Sequence, residues 1–219
     1  MNTSNRRTLK FREFAAIQQL ARWLSQRQIT PNQISIASMV FALLGCIAFF
    51  LMPRASATTG WLLPIGAAVC IQCRLLCNLL DGLVAIEGGK QTPSGELFND
   101  VPDRVSDSLL LVGAGYAVTV VEWGSTLGWS AALLAALTAY IRTLAASMGA
   151  PVNFQGPMAK QHRMALLTAG SLASAAEWYF TPNHYAILVA LVIINLGCCV
   201  TLYRRTLTAY RFMEHHDRA

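Results

Sequence analysis

The sequence predicts an all-α polytopic membrane protein, with six transmembrane helices preceded by an N-terminal interfacial amphipathic helix. Three observations lead there. Of 219 residues, 54% are hydrophobic and only 13% charged, with a mean hydropathy of +0.43, a balance foreign to a soluble domain of this length. Apolar runs recur along the chain at about 20 residues each, the length that crosses about 30 Å of hydrocarbon. Lys and Arg gather in loops and at the ends, so the net charge of +6 is an orientation signal and gives no support to nucleic-acid binding.

Residues 1–30 place Arg6, Arg7, Lys10, Arg12, Arg22 and Arg27 among apolar residues and lack the apolar core of a secretory leader. Phe14, Ile17, Ala21 and Leu24 recur at helical spacing, which predicts a basic amphipathic helix lying in the membrane interface or packed on the bundle from the cytoplasm. Spans are expected near 34–52, 62–86, 95–120, 127–149, 164–180 and 185–203, so that 31–205 forms the membrane domain and 206–219 a basic cytoplasmic tail. The fifth, with its TAGSLASAA run, suits close helix packing better than lipid exposure. Trp23, Trp61, Trp123, Trp129 and Trp178 fall near span ends, as interfacial tryptophans do. With the N-terminus inside, Arg54 is the sole basic residue of the outside loops, so the positive-inside rule puts both chain ends at the cytoplasmic face.

The polar stretch from Asn78 to Asp107 breaks this apolar pattern. Asp81, Asp100, Asp103 and Asp107, with Glu87 and Arg104, lie where spans are expected, and an acidic group at mid-membrane costs about 2.5–3.5 kcal/mol on insertion scales. Several together require a cation or a wet cavity. If 74–86 and 95–110 are helical, Asn78, Asp81 and Ala85 share one face, and Gly95, Asn99, Asp103 and Asp107 share another. The short GGKQTPSG turn makes the two helices antiparallel neighbours, with Thr92 as N-cap and Pro93 as first helical residue. Facing carboxylates repel unless a hard divalent cation such as Mg²⁺ or Mn²⁺ sits between them, which points to metal-assisted phosphoryl transfer. Gly82 and Gly95 let a phosphate-bearing ligand approach the backbone, and Pro102 leaves the Phe98 carbonyl without its helical donor.

These residues resemble the CDP-alcohol phosphotransferases. The family carries DxxDGxxAR, eight variable residues and GxxxDxxxD, and this chain has NxxDGxxAI, eight residues and GxxxNxxxD. Asp81, Gly82, Ala85, Gly95 and Asp103 match in register, whereas Asn78, Ile86 and Asn99 depart. The ITPNQIS segment before the first span is a weaker point of likeness. The resemblance implies two divalent ions on the carboxylate positions, a CDP diphosphate held against Gly82, Ala85 and Gly95, and Asp103 as the base that deprotonates the attacking alcohol. The expected metal set is Asn78, Asp81, Asn99 and Asp103, with Asp100 and Asp107 as candidates to replace the two lost charges. The implied reaction is transfer of a phosphatidyl or related phospho group from a CDP-linked donor to an alcohol with release of CMP, in phospholipid biosynthesis, by an inner-membrane enzyme whose site faces the cytoplasm. Family members are commonly dimers, which the apolar spans permit. A non-catalytic protein that binds a CDP-lipid or divalent cation is the alternative that Asn78, Ile86 and Asn99 keep open. A cation transporter fits less well, because the polar residues concentrate at one end instead of tracing a path.

Three further basic residues fall within the spans. Arg104 follows Asp100 by four positions and is read as its ion-pair partner, and Arg74, one turn before Asn78, either reaches the site or serves a structural hydrogen bond. Arg142, with Lys160 and Arg163 of the next loop, would make a cationic pocket for a phosphate on the acceptor or a lipid head group; for Lys160 and Arg163 simple positive-inside anchoring is the favoured alternative. The six cysteines all lie in expected spans with no histidine beside them, and they read as small packing residues. His162, His184, His215 and His216 show no metal or catalytic spacing.

Overall fold

The computed structural model describes residues 15–56, 58–87, 95–181 and 183–216. Among these there is no strand. The helices are α1 (Ala15–Gln26), α2 (Pro31–Leu51), α3 (Leu62–Glu87), α4 (Gly95–Ala117), α5 (Gly124–Ser147), α6 (Lys160–Glu177) and α7 (Tyr185–His216). Each expected span therefore falls on a helix. The predicted Thr92 cap, Pro93 and the rest of the turn before Gly95 lie outside the described residues.

Four of the helices, α2, α3, α5 and α7, are long and apolar enough to cross a membrane. The expectation of six is met only to that extent. α4 carries Asp100, Asp103, Arg104 and Asp107 along its first half, and α6 is 18 residues long and opens on Lys160 and Arg163. The same charged residues that suggested a site thus remove the apolar signature from the helices that bear them.

Local sequence accounts for the ends of these helices. Thr30 caps α2: its hydroxyl accepts from the Gln33 amide at 3.3 Å and the Gln33 side chain accepts from the Thr30 amide at 3.0 Å, with Pro31 at the first position. Between α6 and α7, Glu177 accepts from the backbone amides of Tyr185 and Ala186 and so satisfies donors at the α7 N-terminus. His184 is buried in that turn against Trp178 and Ser174, and burial pushes its imidazole below its ordinary pKa against the pull of Glu177.

Packing closes six helices into a ring: α2 touches α3 and α4, α3 touches α6, α6 touches α7, α7 touches α5, and α5 returns to α4. Phe49, Ile71, Leu110, Met164, Leu167 and Leu191 fill its interior. Small residues bring some helices almost into backbone contact. A Cβ at Gly115 would lie 2.7 Å from the Cα of Gly128, so α4 and α5 cross on bare backbone. In α6, Gly170, Ser171, Ser174 and Ala175 are buried, the close packing expected of the small-residue run. α1 lies against α3, with Ala21 buried among Leu80, Leu83 and Val84.

The ring corrects one expectation. α3 and α4 do not pack closely as neighbours; both lie on α2, and long polar side chains span the space between them. An arginine and three carboxylates need that width, whereas two apolar helices would have closed it. The gap holds the candidate site.

Candidate functional site

The α3 face that meets the gap carries Arg74, Asn78 and Asp81, spaced i, i+4, i+7. The α4 face carries Asp103 and Asp107, one turn apart. Asp81, Asp103 and Asp107 are all buried, and Arg74 is wholly so. Asp81 accepts from the Ser35 hydroxyl at 3.0 Å and lies within electrostatic reach of Asp103 and Lys160. Acidic groups from the two helices therefore do converge, as the motif spacing requires.

The Asp103 carboxylate is met by three donors. Its Oδ1 accepts from Arg74 at 3.2 Å and from the Asn78 amide at 2.5 Å, and its Oδ2 accepts from the Lys160 ammonium at 2.5 Å. Asn78 is oriented from behind, its carbonyl accepting from Ser38 at 2.9 Å. Asp107, one turn deeper, is closed off by two arginines: Oδ1 takes Arg74 at 2.7 Å and Oδ2 takes Arg163 at 2.9 Å. Arg74 thus joins the two carboxylates and belongs to the site. The Nε and second amino nitrogen of Arg74 are buried and meet no protein acceptor.

Other expected residues are placed differently. Asp100 pairs with Arg104 at 3.3 Å and Arg142 at 3.4 Å, is about 41% exposed at its side chain, and turns toward a cavity. Asn99 is exposed and lines the same cavity. Gly82, Ala85 and Gly95 are partly exposed at the edge of the gap, and Ile86 points outward at 49%.

That cavity, of about 260 Å³, opens beside Asp103. Arg104, Arg142, Lys160, Arg163 and Arg205 line it against only Asp100 and Asp103, so its field is strongly positive. Arg142 also lies over the Phe154 ring at 5.5 Å. Arg205 is held by the carbonyls of Thr138 at 2.6 Å and Gln155 at 3.0 Å. Ser35, Ser38 and Arg205 were not singled out from the sequence. The two serines left a faint signal, hydroxyls one turn apart on an otherwise apolar span, whereas Arg205 was submerged in the positive-inside count.

Among the described residues no three His, Cys, Asp or Glu side chains form a ready-made metal cage. The set nevertheless fits a hard divalent cation of the Mg²⁺ kind, which binds through one or two carboxylates and completes its shell with water and substrate phosphates. Asp81 and Asp103 are the carboxylates placed to hold such an ion.

No family model matches the sequence. Over 153 residues, 70% of the chain and 72% of the relative, it is 28% identical to the inner membrane protein YnbA of Escherichia coli. It is 22% identical over 205 residues to a phosphatidylinositol phosphate synthase of Streptomyces avermitilis, covering 91% of the chain and 80% of that protein. The fold superposes on the crystal structure of Mycobacterium tuberculosis phosphatidylinositol phosphate synthase in complex with manganese and citrate, with a TM-score of 0.74 at 20% identity, over 89% of this chain and 88% of that one. The same enzyme with CDP-DAG bound gives 0.73 at 21% identity, over 89% and 93%. The chain is thus similar in sequence and fold to phosphatidylinositol phosphate synthases, in line with the CDP-alcohol phosphotransferase resemblance of its motif. Of the motif it resembles, the chain keeps Asp81, Gly82, Ala85, Gly95 and Asp103 and presents neutral amides at positions 78 and 99.

Proposed function

We propose that this chain is a metal-dependent phosphatidyltransferase of the membrane, moving a phosphatidyl group from a CDP-linked lipid to an alcohol that itself bears a phosphate, in phospholipid synthesis. One observation carries the reading: buried Asp81 and Asp103 approach each other from two helices, and Asp103 borders a cavity in whose lining Lys and Arg outnumber the carboxylates. A structure of the same fold has CDP-DAG bound, and the curated relatives that name an activity are phosphatidylinositol phosphate and archaetidylinositol phosphate synthases, whose named products carry a phosphate on the alcohol part.

In this reading the oxygen of the acceptor hydroxyl bonds to the lipid-side phosphorus, the phosphoanhydride bond to CMP breaks, and the hydroxyl proton passes to Asp103. Asp81 and Asp103, with the Asn99 carbonyl near the cavity, hold the divalent ion. When bound, that ion neutralises charge developing on the departing CMP phosphate. Arg142 and Arg205 bind the acceptor's phosphate, with Arg163 behind them held to Asp107, and Arg142 is aimed by Asp100 and Phe154. The α3–α4 edge bearing Gly82, Ala85 and Gly95 takes the cytidine diphosphate. Six spans, with α4 and α6 shielded by their apolar neighbours and the site facing the cytoplasm, complete the arrangement.

The test is CMP release by the purified protein in detergent, given CDP-diacylglycerol, Mg²⁺ or Mn²⁺, and a panel of phosphorylated and plain alcohols. Metal-dependent release that favours phosphorylated acceptors supports the reading. Metal binding with no release for any acceptor supports the non-catalytic alternative.

A further inference from the structure

The Asp103 carboxylate is satisfied by donors of the chain itself. Arg74 and Asn78 serve one oxygen and Lys160 the other, so both oxygens already accept from protein N–H groups. The neighbouring charges are also met within the chain: Asp103 and Asp107 are ion-paired with Arg74, Lys160 and Arg163, three cations on two carboxylates, with Asp81 beside them on the Ser35 hydroxyl. A cluster in that state has no electrostatic demand for a pair of dications. Asn78 supports the same conclusion. Held by Ser38 through its carbonyl, it turns its amide donor to Asp103, and a carboxylate in its place would face Asp103 at 2.5 Å with nothing to separate the two charges.

Lys160 differs from the two arginines of the cluster. It begins α6 at the cavity wall, its side chain keeps about 25% exposure, and its flexible stem lets the ammonium leave without disturbing the bundle. Arg74 and Arg163 are buried and also held by Asp107, whereas Lys160 has one recorded carboxylate partner. A dication and an ammonium at one carboxylate oxygen repel each other, so they exclude one another.

Resting on the phosphotransferase reading, we propose that Lys160 is a tethered counter-ion for Asp103 which a divalent cation displaces, and that this chain consequently holds a single divalent ion, with Asn78 and Lys160 doing the charge-balancing of a second. The displaced ammonium already lies in the cationic cavity, where a phosphate-bearing ligand becomes its new partner.

Mn²⁺ binding to the full-length chain in detergent, counted from the electron paramagnetic resonance of free Mn²⁺, tests this without any turnover. The expected result is one Mn²⁺ per wild-type chain, bound about tenfold tighter in Lys160→Gln, where the competing charge is gone, and near wild-type strength in Lys160→Arg. Asn78→Asp should also tighten binding. Two Mn²⁺ per wild-type chain, or equal or weaker binding in Lys160→Gln, overturns the proposal. A second measurement needs no substitution: acylation of Lys160, followed by peptide mass spectrometry, should rise about threefold when Mn²⁺ is added, because the freed ammonium becomes accessible. Unchanged acylation at saturating Mn²⁺ overturns it. CMP release recorded on the same samples separates the two readings, since absent release with the expected Mn²⁺ pattern defeats the transferase and leaves Lys160 as the displaceable ion.

Discussion

Asp103 and Asp107 lie one helical turn apart on the same face of α4, share Arg74, and have opposite surroundings. Asp107 is about 3% exposed at its side chain and gives both oxygens to arginines that are themselves buried. Asp103, at 10%, borders a cavity and is paired with the partly exposed Lys160 on the same wall. A turn of helix is about 5.4 Å, enough to pass from the sealed interior of the ring to its open rim. The lesson is that burial and pairing do not by themselves mark a functional acid. What distinguishes the two is whether the partner is fixed.

The sharpest way to break that comparison is to neutralise each acid in turn. Asp103→Asn should abolish detectable CMP release, a fall of at least about a hundredfold if proton transfer and ion binding are both lost, while the melting temperature in detergent moves little. Asp107→Asn should do the reverse. It leaves Arg163 and Arg74 buried and underpaired, at a cost of about 3–5 kcal/mol, seen as a large fall in melting temperature. If both variants lost stability equally, the contrast between rim and interior would be wrong.

A smaller effect tests whether the gap is set by the ring. Gly128→Leu inserts a side chain where α4 and α5 meet backbone to backbone, and should destabilise by about 1–3 kcal/mol and weaken Mn²⁺ binding by shifting α4. Ser38→Ala removes one hydrogen bond behind Asn78 and should cost about 0.5–1.5 kcal/mol in stability. Arg104→Ala breaks a half-exposed ion pair whose side chains are 25% and 41% exposed, and after solvent screening should change stability by no more than about 0.2–1 kcal/mol. A large effect there would move Asp100 and Arg104 from the rim into the working centre.

Much of the site was legible in the chain. The motif spacing put Asn78 and Asp81 on one helix face and Asp103 and Asp107 on another, because 3.6 residues per turn is a property of the backbone and needs no partner. Arg104 pairs with Asp100 for the same reason, at i, i+4. Asp100 and Asp107 could not be sorted in advance. Both are carboxylates within reach of Asp103 in sequence, and only the arginines brought by α5 and α6 give one to the cavity and lock the other away.

Sequence alone determined the helices, their apolar lengths and the acidic faces, since periodicity and hydropathy act within about 20 residues. Tertiary structure decided that α3 and α4 stand apart on α2 with a polar gap between them, that Ser35 and Ser38 brace the site, and that Lys160 sits on Asp103 across 57 residues of chain. Those outcomes depend on how six helices close a ring. No local pattern carries that information, because a charge has no preferred partner until packing supplies one.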